Sequence, residues 1–528
     1  MLHSAIGYRG AVSAPHRAAA LAGRDVLETG GTAIEAMVAA AATIAVTYPH
    51  MNGIGGDGFW LIHRPGEAPV GISACGQAAG LATPGWYADR GYRAALPTRG
   101  GEAALTVPGT IGGWERALSL VPEAKRLPLA HLLRSAIAYA RDGIAVTGNQ
   151  SRTTAEKWAG LKEVPGFADL FLVDGAPPAP GHRLCQPALA RTLESLAENG
   201  LASFYKGAIA AAHAAYLSEH GSPLRQQDFS FFQVQTVTPL RVESSWGSLY
   251  NMPPPTQGVA SLMILAIFDR LNVDQGEGFA HLHGLIEATK QAFLLRNAHL
   301  GDPSTMAEQA QSWLDVSVLD KLTGRIDREN ALPWPHVPKQ GDTVWMGAAD
   351  ADGTVVSFIQ SVFWEFGSGL TCPETGVVFQ NRGAGFSLGD GPNQLAPGKR
   401  PFHTLNPALA QLSDGRVLAY GTMGGEGQPQ TQAAVFTRFA QFGTDLQQAI
   451  TAPRWLLGKT WGDDTTTLKL EDRFDPFLVN QLKNAGHQIE LIPEFSDLAG
   501  HAGAVLRHPT GLLEAASDPR SDGDAVAF

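Results

Sequence analysis

Apolar positions recur with a helical period through most of the first 320 residues, and with a strand period after about residue 343. Thr32-Ala33-Ile34-Glu35 has the spacing of a capping box and opens a predicted helix to about Tyr48, which Pro49 and the glycines behind it close. The first 150 residues, rich in Ala and Gly, read as helical apart from Phe59-Trp60-Leu61-Ile62, a buried strand. Residues 105–320 read as mostly helical, with helices over 127–141, 187–199, 259–271 and 278–299.

Around 322–340 the chain turns polar, proline-bearing and aperiodic, which predicts an exposed linker. Strands follow at 343–349 and 354–362, joined by the hairpin signal Asp350-Ala351-Asp352-Gly353. Further strands are expected at 376–380, 405–411 and 416–421, helices at 430–452 and 474–486, and short strands and turns over 487–527. Helices on a largely antiparallel sheet predict a layered α+β fold. No internal repeat stands out.

Composition narrows the function. The 528 residues are 44% hydrophobic and suffice for a large core. The net charge of −11 has no long runs and no basic stripe, which argues against a nucleic-acid partner. The most apolar stretch, 33–48, is too short to span a bilayer and carries Glu35. The N-terminus lacks the pattern of a signal peptide. Cys75, Cys185 and Cys372 form neither a disulfide framework nor a zinc spacing and read as reduced thiols. A soluble cytoplasmic protein with no membrane partner is the expectation.

Four motifs carry possible chemistry. Gly53-Ile54-Gly55-Gly56-Asp57-Gly58 matches G-x-G-x-x-G, but a helix precedes it and a strand follows, the reverse of a dinucleotide site; a tight turn close to a functional site fits better. Gly385-Phe386-Ser387-Leu388-Gly389 matches G-x-S-x-G, yet no helix can follow, so it is a poor nucleophile elbow. His281 and His283 lack metal-ligand spacing and read as one surface and one core histidine. Thr343, at the linker-to-strand junction, would become a nucleophile if the chain were cut before it. The freed α-amine, with an ordinary pKa of about 7.7–8.0, could then take the hydroxyl proton.

The chain resembles the γ-glutamyltransferase family of N-terminal-nucleophile hydrolases. The matching segments stand in family order: 52–59, Val107-Pro108-Gly109-Thr110, Glu287-Ala288 to Phe293 with Arg296, Gly301-Asp302-Pro303, Phe366-Gly367-Ser368-Gly369, Gly424-Gly425 and 517–521. The resemblance implies an αββα sandwich that cuts itself between Asp342 and Thr343. The products would be a large chain, 1–342, and a small chain, 343–528, interlocked in one fold as a heterodimer with a higher oligomer open. It also implies Thr343 as nucleophile, Ser361 as its hydroxyl partner, and the Gly424 and Gly425 amides as oxyanion hole. That no metal or organic cofactor is needed is an expectation that rests on this implied threonine mechanism.

The groups by which that family grips a γ-glutamyl amino acid are largely replaced. An arginine aligns with Pro84, a serine pair with His403-Thr404, an asparagine with Phe363, and an acidic residue falls near Gly385. Arg382 stands where the family has a neutral residue, and Phe363 and Trp364 add bulk. A smaller pocket is expected, with Arg382, His403 and Thr404 binding substrate and the guanidinium gripping a carboxylate through paired charged bonds. Asn381-Arg382-Gly383 and Arg400-Pro401-Phe402-His403-Thr404 resemble a subgroup acting on oxamate in purine-ring catabolism, which implies hydrolysis of oxamate to oxalate and ammonia. A scaffold salt bridge is the other reading of Arg382. A γ-glutamyl hydrolase or transferase with a remodelled pocket, or an uncleaved small-molecule binder, are the alternative functions.

Overall fold

Strand Asp342–Asp350 turns back at Gly353 (φ +92°) into strand Val355–Phe363. The turn is tied twice by Asp350, whose carboxylate accepts the Thr354 amide at 2.9 Å and, 317 residues away, the Ala33 amide at 2.8 Å. That second bond seats the N-terminus of helix Ala33–Thr47 on the hairpin. The helix opens on the expected capping box, Thr32 with Glu35, worth about 1 kcal/mol, and all of its residues are buried. The computed structural model describes residues 3–334, 342–458 and 466–528.

The hairpin is the centre of a seven-stranded sheet ordered Asp524–Ala527, Gly10–Ala14, Asp342–Asp350, Val355–Phe363, Asp57–His63, Val70–Ala74 and Gln235–Val237. A second seven-stranded sheet runs Ala5–Gly7, Leu513–Ser517, Ala502–Arg507, Val417–Thr422, Ala408–Leu412, Gly247–Asn251 and Leu240–Ser244. Neighbours in both are antiparallel. Each sheet thus takes strands from both sides of position 342.

The sheets pack over Trp345, whose indole N–H donates to Ser357 Oγ at 3.0 Å. A Cβ at Gly421 or Gly503 would lie 2.1 or 2.5 Å from its ring, so only glycine lets the second sheet approach. Helices Arg17–Glu28, Ala33–Thr47, Leu129–Asp142 and Pro187–Asn199 share one outer core with the first sheet, and Gly258–Arg270, Phe279–His299 and Gln428–Phe436 share another with the second. The layering is αββα, as expected. Among the described residues no helix is long and apolar enough to cross a membrane.

Several local expectations need correction. Strands Ala5–Gly7 and Gly10–Ala14 fall in a region read as helical, as do Gln235–Val237, Leu240–Ser244 and Gly247–Asn251 within 105–320. Residues 376–380 form no strand; a single bridge joins Thr371 to Val378. The helix expected over 430–452 breaks after Gln428–Phe436 into a wider turn, passes Gly443 (φ +70°) and resumes at Leu446–Thr451. The linker expectation is met in part: helix Val316–Thr323 overlaps its start, the chain to Trp334 is irregular, and residues 335–341 lie outside those described.

Candidate active site

Thr343 sits in an irregularity of the central hairpin. Asp342 pairs with Phe363 and Val344 with Gln360, so Thr343 alone faces Ser361 and Val362. The extra residue thus lies on the strand of Ser361 and Val362, and such a bulge re-aims the side chains of the strand that carries it. Thr343 and Ser361 are fully buried. The Ser361 hydroxyl accepts the Phe363 amide at 2.8 Å. The backbone of Asp342 opens the strand, while its side chain lies outside the described part.

Gln428 connects this strand to the glycine pair. Its Nε2 lies 3.5 Å from Thr343 Oγ1, a long contact, and its Oε1 accepts the Asn406 amide and side chain at 3.2 and 3.0 Å. Gln428 heads the helix after Gly424 and Gly425, which both have positive φ (+112° and +54°). Amides at the start of a helical turn precede its first internal acceptor and can serve an oxyanion. The loop is held by residues that precede position 342. Arg296 Nη2 meets Glu426 Oε2 at 2.6 Å, Arg296 Nη1 donates to Gln257 Oε1 at 2.6 Å, and Gln257 Nε2 donates to the carbonyls of Gly425 (2.9 Å) and Thr404 (2.7 Å).

Arg382 is 0% exposed, and among the described residues Nε, Nη1 and Nη2 all lack a hydrogen-bond partner. Its guanidinium carbon lies 4.0 Å from the centre of the Phe363 ring. Burial draws its pKa down to about 9, opposed by the nearby charge of Asp57. The scaffold salt bridge therefore finds no partner among the described residues. Thr404 Oγ1 is likewise buried without a partner among the described residues, while the Thr404 carbonyl is bonded to Gln257 and Asn406.

His403 is differently engaged. Its Nδ1 must donate to the Pro401 carbonyl (2.7 Å), and its Nε2 lies 2.9 Å from Asp57 Oδ2. Burial and the charge of Arg382 hold the histidine below its ordinary pKa, while Asp57 works against both. Asp57 Oδ1 accepts from the Gly76 and Gly109 amides and Gln380 Nε2, each at 3.1 Å.

The glycine motif at 53–58 is the expected close-approach turn. A Cβ at Gly55 or Gly56 would lie 2.0 Å from the Val378 carbonyl or 2.1 Å from that of Ser361. Ser387 lies in a loop, its Oγ accepting the Gly389 amide at 3.0 Å. His281 and His283 are both buried, which corrects the expectation that one is at the surface. His281 bonds Thr437 Oγ1, and His283 Nδ1 bonds His487 Nε2, each at 2.9 Å. His283, Glu287 and His487 have donor atoms within 4.8 Å of one another, but the histidines bond each other and Glu287 holds Lys290 at 2.6 Å. Burial pushes the Cys75 thiol up to about 12. Gln428, Gln257 and Asn406 carried no pattern in the sequence. Asp57 and Arg296 stood inside quoted motifs, which was their only signal.

A family profile described as Gamma-glutamyltranspeptidase matches residues 19–528. The chain is 50% identical to the oxamate amidohydrolase proenzyme of Klebsiella pneumoniae subsp. pneumoniae, covering 100% of both chains. It is 39% identical to the glutathione hydrolase-like YwrD proenzyme of Bacillus subtilis, again over 100% of both. Among solved structures it is similar to the cephalosporin acylase from Bacillus halodurans, with TM-score 0.92, 31% identity, and coverage of 100% of this chain and 97% of that one.

Proposed function

The chain belongs to the gamma-glutamyltranspeptidase family and is an amide-hydrolysing enzyme, and from that premise we propose that it matures by self-cleavage and hydrolyses a small amide bearing a carboxylate, oxamate first. The observation that carries the substrate reading is the buried Arg382 fork, whose three nitrogens have no partner among the described residues. A buried charge without a partner is costly, and a substrate carboxylate beside the scissile carbonyl would satisfy it. The name of the Klebsiella relative points to the same substrate.

In the maturation step, Thr343 Oγ attacks the Asp342 carbonyl, the peptide shifts to an ester, and water releases residues 1–342 from Thr343 onward. In turnover, the Thr343 α-amine takes the hydroxyl proton as Oγ bonds the amide carbonyl. The Gly424 and Gly425 amides stabilise the oxyanion, with Ser361 as hydroxyl partner. The C–N bond breaks, the amine-held proton passes to the leaving group, and ammonia departs. Water then hydrolyses the acyl-threonine. Thr404 Oγ1, buried and without a partner among the described residues, supplies a further polar contact, and His403 fixes the wall beside Arg382 through Asp57. The free thiols favour a cytoplasmic setting.

A γ-glutamyl hydrolase is disfavoured by Pro84, a half-buried helix start with no charge to offer. Ammonia release by matured protein from oxamate, oxamide and a γ-glutamyl amide tests the proposal. Oxamate should lead by orders of magnitude, and equal kcat/KM on all three would reject the reading.

A further inference from the structure

We propose that Phe363 is a positioning residue whose ring face holds the Arg382 guanidinium in place of a counter-anion, making the site selective for carboxylate-bearing amides. This rests on the reading of Arg382 given above. Phe363 has φ +84°, a left-handed backbone that an aromatic residue rarely adopts. It ends its strand opposite Asp342, one residue from the proposed nucleophile. Two bonds hold it there: its amide donates to Ser361 Oγ at 2.8 Å, and the next amide, Trp364 N–H, donates to Asn381 Oδ1 at 3.1 Å. Asn381 precedes Arg382, and its own amide donates to the Val362 carbonyl at 3.2 Å. The segments carrying ring and guanidinium are therefore stitched together.

The ring lies 4.0 Å from the guanidinium carbon, while Nε, Nη1 and Nη2 have no partners among the described residues. An acidic partner would occupy the N–H edge of the fork. An aromatic face attracts the planar cation and leaves that edge free. The strained backbone is the means of placing the ring where an extended residue would not put it.

The test compares Phe363→Leu, Phe363→Tyr and Arg382→Met in matured protein, with oxamate and its neutral counterpart oxamide. Oxamide is read as substrate or, below detectable turnover, as competitive inhibitor. Phe363→Leu should raise KM for oxamate about tenfold, leave kcat within about threefold and leave oxamide unmoved. Phe363→Tyr, which keeps the ring, should restore KM. In the Arg382→Met background Phe363→Leu should add nothing. Where the leucine variant does not mature, Phe363→Gly removes the ring while accepting φ +84° without strain. An unchanged KM for oxamate, or equal shifts for oxamate and oxamide, overturns the proposal. If Arg382→Met itself fails to separate the two amides, the reading of Arg382 fails. If it separates them and Phe363→Leu does not, only the role of Phe363 fails.

Discussion

Arg296 and Glu426 meet at 2.6 Å, both buried, one on the long helix Phe279–His299 and the other beside the glycine pair. The contact joins the regions on either side of position 342. Removing one partner of a buried pair leaves a bare charge and costs about 3–5 kcal/mol. Arg296→Met should lower the melting temperature and kcat together, because the 424–425 loop loses its anchor. A variant that melts like wild type with full kcat would remove the pair from the site's support.

Aged wild-type protein should give two chains by intact mass, beginning at Met1 and Thr343. The second should contain 528 − 342 = 186 residues. Thr343→Ala should remain one chain without activity. An uncut wild-type chain with full turnover would reject Thr343 as an N-terminal nucleophile.

Arg382→Met should lose about 2–5 kcal/mol in kcat/KM on oxamate, by analogy with truncated buried charge pairs. Oxamide should be nearly indifferent. Arg382→Lys should recover only part, since an ammonium lacks the planar fork. Maturation should survive both, as it involves no free carboxylate substrate. Equal losses on the two amides would return Arg382 to a scaffold role.

Gly424 has φ +112°, outside the ordinary range of residues with a Cβ. Gly424→Ala should displace the amide and reduce kcat by about 10²–10³, the effect of losing one oxyanion donor. KM should change little. A kcat near wild type would move the oxyanion site elsewhere.

Burial lowers His50, His213 and His281 from 6.5 to about 3. The unfolded chain therefore takes up these protons first as pH falls. The stability these neutral rings hold is complete above pH 6.5 and is lost as pH drops toward about 3. Each ring contributes a slope of up to ~1.4 kcal/mol per pH unit in that window. Melting temperature should fall steadily from pH 6.5 to 4.5, and His213→Gln should flatten the slope. A melting temperature that rises with acid would contradict the burial of these rings.

Elements specified by neighbours in sequence were legible. The Thr32–Glu35 cap and the 350–353 turn act within a few residues, and both helix and hairpin were read from them. Strand Gly10–Ala14 was not, because all of its residues are buried and small, so alternation vanishes. Strand Leu240–Ser244 does alternate, but it lies in a stretch dominated by helical periods. At the site, Thr343, the glycine pair and Arg382 stood out by motif or by substitution. Gln257 and Gln428 did not: the site groups they touch, at Thr404 and Gly425 and at Thr343, are 147, 168 and 85 residues away, and even Arg296 and Asn406 are 39 and 22 away. Only the folded chain makes a buried glutamine specific.

Both sheets take strands from either side of position 342, with Asp342–Asp350 between Gly10–Ala14 and Val355–Phe363. A cut before Thr343 would thus change the reaction order of folding. The uncut chain would renature by a first-order process, independent of dilution. The cut molecule, once unfolded, must recover through a bimolecular encounter of two fragments, neither holding a complete sheet. Maturation would act as a ratchet: the active form persists by the slowness of its unfolding, and dilution after denaturation would erase it while sparing the precursor.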